Sequence, residues 1–278
     1  MSYTAEISRR NPGLFIFLLD QSRSMSHRIA GGKRSKAEEA TDAINRQIYE
    51  LVNRCTKSDG IRDYFEVGII GYGFRKGGEA ASLLVNRNLV PISEMDSLIL
   101  RMETRKQVID GEEVDFEFPP IWFEPVAASD TPMVRALSLA EEWASAWASE
   151  HQSSFPPVII NISDGDSTDG DPVPVAERIM GISTDDGNAM IWNCHLSETK
   201  TDPVSFPPSD PPGQLPPDKY ARQMFSMSSL IPESMVAIAR EEYRDVSEGA
   251  RAYVFNAQLE DLIKLLDIGT RAITNQMR

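Results

Sequence analysis

The sequence predicts an α/β fold: a doubly wound, mostly parallel sheet with helices on both faces and one antiparallel edge strand. Three observations carry that expectation. Apolar runs of strand length, Leu14 to Leu19 and Val158 to Ser163, are too short for helices of average length and read as strands buried on both faces. Between such runs lie segments whose apolar residues recur every three to four positions, the spacing of amphipathic helices. Both runs end abruptly in a carboxylate, Asp20 and Asp164, where a buried strand meets its loop.

Pro12-Gly13 sets off the first strand. Ala37, Ala40, Ile44, Ile48, Leu51, Val52 and Cys55 then trace one face of a helix from about Ser35 to Lys57, with Gly31-Gly32 as a flexible entry. Tyr64 to Tyr72 reads as a central strand, and Ala81 to Val85 as its neighbour across the Lys76-Gly77-Gly78 turn. Arg101 to Ala128, broken by Asp110-Gly111, Pro119-Pro120 and Pro125, reads as an irregular surface insertion. Thr131 suits a helix cap and Pro132 a first helical position; Met133, Ala136, Leu137, Ala140, Trp143 and Trp147 line the helix that follows to about Ser149.

Gly187 to Leu196 reads as another buried strand, and proline-rich Thr199 to Pro217 as an extended surface loop. Pro232 to Arg244 fits a helix and Ala250 to Phe255 a strand. Gln258 to Ile273 fits a closing helix with Leu259, Leu262, Ile263, Leu266 and Ile273 inward. Residues 1–278 then form one domain with its core at about 13–275 and insertions at about 101–128 and 199–217.

Charge excludes several partners. Lys and Arg total 28 against 42 Asp and Glu, a net −14, which argues against nucleic acid and against an anionic membrane surface. No apolar run reaches spanning length, and the N-terminus lacks the apolar core and small-residue cleavage site of an export signal. Cys55 and Cys194 fall in a helical and a strand pattern, as small hydrophobes suited to a reducing cytoplasm. Neither a cysteine–histidine zinc spacing nor an internal repeat is visible.

In Asp20-Gln21-Ser22-Arg23-Ser24 the oxygen side chains alternate, so a loop curling over the strand end would turn a carboxylate and two hydroxyls toward one point. That is a ligand set for a hard cation, Mg²⁺ first and Mn²⁺ or Ca²⁺ next. The same residues would equally cap a helix or close a turn. Asp164-Gly165-Asp166-Ser167-Thr168-Asp169-Gly170-Asp171 sets four carboxylates within eight residues, whose mutual repulsion a cation would relieve. It misses the EF-hand pattern, since its glycine comes one position late and no Glu closes it. Asp20 and Asp164 both lie where an open parallel sheet collects ligands, beyond the carboxyl ends of its strands. His27, His151 and His195 have no nucleophile motif beside them and read as hydrogen-bonded structure.

Asp20-x-Ser22-x-Ser24-Met25, Thr131 ahead of a helix, and Asp164-Gly165-x-x-Thr168-Asp169-Gly170 resemble the three loops of the metal-ion-dependent adhesion site of von Willebrand factor type A (VWA) domains. The resemblance runs from about Leu14 to Thr274. Leu215 to Arg222 and Met227 to Met235 are also similar to the tail of bacterial stand-alone VWA proteins of the tellurium-resistance type. The resemblance implies that Ser22, Ser24 and Thr131 give hydroxyl oxygens to Mg²⁺, with Asp20 and Asp164 bound directly or through waters. It implies a last coordination position taken by an Asp or Glu of a partner protein, which a metal with few charged ligands attracts strongly. Asp130 stands where glycine is usual in the family and adds a carboxylate near the metal. Arg23 replaces a small residue, to neutralise nearby acid or to clasp the partner's carboxylate. Arg23, Asp130 and Asp166 are therefore the candidates for partner contact.

These residues lead to the expectation of a cytoplasmic, non-enzymatic docking module. The tellurium-type resemblance would place it beside a protein phosphatase or kinase in a bacterial stress or defence system. The alternative is a metal-dependent phosphohydrolase using Asp20, Asp164 and Asp166. Enzymes of the haloacid-dehalogenase type would want an Asp where Ser22 stands, and without it the chemistry lacks its proton donor.

Overall fold

Parallel strands cannot be joined by tight turns, so each pair needs a crossover, and this chain supplies helices for that purpose. The computed structural model describes residues 3–29, 32–77, 79–85, 87–109, 112–198, 201–209, 215, 218–243, 245–256 and 264. In chain order the strands are β1 (Gly13–Asp20), β2 (Thr56–Lys57), β3 (Gly60–Ile61), β4 (Phe65–Tyr72), β5 (Ala80–Ser82), β6 (Val90–Pro91), β7 (Arg101–Ile109), β8 (Glu112–Ile121), β9 (Val158–Ser163), β10 (Met190–His195), β11 (Val204–Ser205) and β12 (Tyr253–Phe255). The helices are α1 (Lys36–Cys55), α2 (Met133–Glu150), α3 (Val173–Gly181), α4 (Lys219–Ser226) and α5 (Glu233–Glu242). The expected closing helix at Gln258 to Ile273 lies outside the described residues apart from Lys264.

The main sheet runs β11-β12-β10-β9-β1-β4-β5, with β6 also paired to β4. From β12 to β4 the pairings are parallel; β5 and β6 join β4 antiparallel, and β11 joins β12 antiparallel at the opposite edge. This is the α/β architecture that the alternation of buried strands and amphipathic helices predicts. All eight residues of β1 are buried, because it lies between β4 and β9 and under helices on both faces. Phe15, Phe17 and Leu19 pack into the core shared with α1 and α5, whereas Leu14, Ile16 and Leu18 face the core shared with α2, α3 and α4. The chain leaves β1 for β4 through α1 and returns through α2 to β9 on the other side. The winding thus reverses at β1, and the loops after β1 and β9 emerge side by side at the carboxyl edge.

α1 starts where a capping box fixes it: Ser35 Oγ accepts from the Glu38 N–H at 3.2 Å, and the Ser35 N–H donates to the Glu38 carboxylate at 2.8 Å. All seven apolar positions expected to face inward on α1 are buried, as are all six on α2.

Two expectations need correction. β7 and β8 pair as an antiparallel ladder packed on α1, with one irregularity between Arg101 and Glu103. Phe116 and Phe118 lie on its inner face while Glu117 points outward, and Pro119-Pro120 falls at the end of a two-stranded ladder, where a missing N–H costs little. The pair is docked by Asn45, whose Oδ1 accepts from the Trp122 N–H at 2.9 Å and whose Nδ2 donates to the Phe123 carbonyl at 3.3 Å. Thr131 is not the cap of α2 either; Pro132 holds that position with no side-chain cap bond.

One polar chain crosses the buried sheet. The Tyr72 hydroxyl donates to Asn161 Oδ1 at 2.9 Å, Asn161 Nδ2 to Asn193 Oδ1 at 2.9 Å, Asn193 Nδ2 to Ser228 Oγ at 3.0 Å, and Ser228 Oγ to the Met224 carbonyl at 2.8 Å. The run links β4, β9 and β10 to the end of α4. Asn161→Leu keeps the side-chain volume but orphans the Asn193 amide oxygen and takes one of two partners, the other being Ser163, from the Tyr72 hydroxyl. It is expected to cost about 2 kcal/mol in chemical denaturation, at 1–3 kcal/mol for a buried group left unpaired. A loss under about 0.5 kcal/mol would show that the chain contributes nothing to stability.

Candidate metal centre

Asp20 ends the central strand and is wholly buried. Its Oδ1 accepts from the Ser22 N–H at 2.8 Å and its Oδ2 from the Ser163 hydroxyl at 2.6 Å. Ser163 ends β9, and the register that pairs Leu19 with Ile162 brings it beside Asp20. Burial pushes the Asp20 carboxyl up to about 7, the nearby Asp164 charge adds to the rise, and the serine hydrogen bonds oppose it. Asp20 holds the first loop: the chain bends back so that Ser22 Oγ and Ser24 Oγ lie 3.1 Å apart.

The second loop is laced to the first through the backbone. Ser22 and Ser129 form a parallel bridge, the Arg23 N–H donates to the Ser129 carbonyl at 2.9 Å, and the Ala128 N–H donates to the Gln21 carbonyl at 2.8 Å. Gly73, just after β4, sits in the seam at φ +90°; a Cβ there would fall on the Asp130 carbonyl oxygen and come within 3.0 Å of the Ser22 nitrogen. Only glycine meets both demands. The third loop is tied to the second at Thr131, whose N–H donates to Thr168 Oγ1 at 3.0 Å and whose carbonyl accepts from the Thr168 N–H at 2.9 Å.

Asp169 of that loop supplies the cap that Thr131 was expected to give. Its carboxylate oxygens accept from the N–H groups of Val134 at 3.0 Å and Arg135 at 2.9 Å, the open donors of the first turn of α2. It thereby fixes the third loop against the helix that the second loop enters.

Asp164 is held from two sides. Its carbonyl accepts from His195 Nε2 at 2.7 Å, and its Oδ2 takes the Lys36 ammonium at 2.9 Å. Lys36, the first residue of α1, is only 1% exposed and also reaches Glu198 Oε1 at 3.0 Å. Asp164 Oδ1 is buried without a hydrogen-bond partner among the described residues. Ser24, Lys36, Asp164 and Asp166 line one open cavity of about 240 Å³ beside His195 and Tyr220. His195 is buried under the third loop, hydrogen-bonded to the Asp164 carbonyl and 3.4 Å from the Tyr253 hydroxyl; burial lowers its pKa.

Asp20 at the end of β1 and Ser22, Ser24, Thr131 and Asp164 on the loops beyond lie at one end of the sheet, the three loops joined through their backbones. Arg23, Asp130 and Asp166 are exposed at the rim. Sequence reasoning missed Lys36, Ser163, Asp169 in its capping role and Glu198. Of these, only Ser163 carried a signal, as a hydroxyl ending a buried strand.

The donor set fits a hard divalent cation. It is all oxygen and includes a buried carboxylate oxygen lacking a partner among the described residues. Among those residues no three His, Cys, Asp or Glu side chains come together as a metal cluster, so hydroxyls would have to complete the shell.

No family model and no curated protein matches the chain. Among solved structures, the manganese-loaded TRAP protein of Plasmodium vivax aligns over 68% of this chain and 59% of its own, at 10% identity and TM-score 0.36. The three N-terminal domains of the type V pili tip protein Mfa5 from Porphyromonas gingivalis align over 56% of this chain and 20% of their own, at 12% identity and TM-score 0.33. The chain thus spans well under two thirds of either structure.

Two predictions follow from the geometry. Asp169→Ala removes the cap from α2 and should lower stability by about 1 kcal/mol in urea denaturation. With EDTA present, Asp20 binds its proton more tightly folded than unfolded, so its contribution to stability should fall as pH rises from about 4 to about 7. Asp20→Asn should flatten that slope in denaturation curves taken across the range; an unchanged slope would remove Asp20 as its source.

Proposed function

We propose that this chain is a protein–protein interaction module of the VWA type that docks an Asp or Glu of its partner on a divalent cation, Mg²⁺ first and Mn²⁺ or Ca²⁺ as substitutes. The observation that carries the reading is the unpartnered, buried Asp164 Oδ1 on a loop interlaced with those of Ser22, Ser24 and Thr131. Ser22, Ser24 and Thr131 would supply neutral oxygens, and Asp20 and Asp164 the two charges. The ion supplies Lewis-acid attraction for a carboxylate. The chain's own residues do the rest. Lys36 offsets one of the two carboxylates, Ser163 and the Ser22 N–H hold Asp20 in place, and Arg23 at the rim offers a guanidinium to the arriving acid.

The reading is of a binder and not an enzyme. Ser22 stands where the rival phosphohydrolase needs an acid, and Asp166, the second carboxylate of that scheme, lies exposed at the rim. Two free, buried cysteines suit a reducing cytoplasm, and no described helix is long and apolar enough to cross a membrane. The similarity of 215–235 to the tellurium-resistance type supports a partner linked to a protein phosphatase or kinase in bacterial stress.

An affinity capture from cell extract, followed by mass spectrometry, tests this. Capture of a partner should require Mg²⁺, be released by EDTA, and be lost in Thr131→Ala and Asp20→Ala variants that keep the wild-type circular dichroism. Equal recovery of the same partner by folded variants would refute carboxylate docking.

A further inference from the structure

Another cavity lies away from the three loops, between α1 and the β7–β8 pair. It measures about 790 Å³, within the range of small-molecule sites. The lining is charged and mixed: Arg34, Arg46, Arg101, Arg105 and Lys106 face it together with the acids Glu38, Asp42, Glu103 and Glu124, a local balance of about +1 in a chain of net charge −14. Four of these are matched by acid. Asp42, itself buried, takes both Arg34 and Arg105; Glu103 takes Arg101 and Arg105; Lys106 meets Glu113 at 2.9 Å. Arg46 is the exception. It has no ion pair within 4 Å among the described residues, its Nε is buried without a hydrogen-bond partner, and its guanidinium rests 4.7 Å from the Phe118 ring centroid.

Arg105 covers the same ring at 3.4 Å, so Phe118 is a platform holding two guanidinium groups. Five residues before Arg46 on α1, Thr41 also lines the cavity; it is 2% exposed and its hydroxyl oxygen is buried without a partner among the described residues. A buried hydroxyl and a buried guanidinium nitrogen, both unmatched and both on one wall, are costly unless something binds them. Phe116, half-buried beside Phe118, offers an apolar surface next to this polar pair.

We propose that this groove binds an organic phosphate of nucleotide size, with the phosphate on Arg46 and Thr41 and the flat part of the ligand against Phe116. The Arg46 N–H groups and the Thr41 O–H give donors in different directions, which suits a tetrahedral oxyanion better than a single carboxylate. The site is independent of the metal loops, since none of its lining residues belongs to them.

Calorimetry in EDTA, with the full chain and with AMP, inorganic phosphate and citrate as probes, separates this site from any metal-borne phosphate binding. AMP should bind saturably, and Arg46→Gln should weaken it about tenfold or more. Thr41→Val, nearly the same shape, should weaken it several-fold while leaving the circular dichroism unchanged, which guards against Arg46→Gln acting through misfolding. Failure of AMP to bind at millimolar concentration would overturn the assignment. So would equal affinity for AMP and inorganic phosphate, a preference for citrate, or AMP binding untouched by Thr41→Val and Arg46→Gln alike.

Discussion

A carboxylate at the end of the most buried strand is the constraint on which the rest depends. Asp20 cannot reach bulk water, and an isolated buried charge of that kind is expensive. The fold answers by bringing donors to it: the Ser22 N–H from its own loop and the Ser163 hydroxyl from the neighbouring strand. Those two bonds set the curl of the first loop and the height of the third. Once they are in place, Ser22 meets Ser129 and Thr131 meets Thr168, so the gathering of three loops follows from satisfying one buried acid.

The same region carries two further acids with distinct tasks. Asp169 is spent on the N-terminus of α2, where its charge meets the helix dipole and its oxygens meet free N–H groups. Asp164 is neutralised on one oxygen by a lysine that the start of α1 drives inward, and left open on the other. What reads in one dimension as a run of repelling aspartates is in space a division of labour. Glycines make it feasible: Gly73 lets two loops touch, and Gly165, at φ +90°, lets the third loop lie against Tyr220.

Much of this was legible in the residues. Strand-length apolar runs and three-to-four periodicity located the central strands and α1 and α2, because burial on both faces leaves a composition that nothing else produces. Asp20, Ser22, Ser24, Thr131 and Asp164 were legible because polarity flips sharply at strand ends and because their spacing resembles a known loop set. Lys36 was not, since a lysine in a helix's first turn ordinarily faces water and only the third loop's position turns it inward. The β7–β8 pair was misread because Pro119-Pro120 looks like a break when its tolerance depends on lying at the end of a two-stranded ladder. α3 escaped because it is nine residues long and carries Pro174 in its first turn, too short to show a period.

Whether these loops take one hard cation is decided by titrating the EDTA-stripped chain with Mn²⁺, followed by electron paramagnetic resonance of the free ion. One ion per chain should be taken up, displaced by Mg²⁺ and lost in Asp164→Ala. No uptake at millimolar Mn²⁺, or uptake unchanged in Asp164→Ala, would contradict a site on these loops.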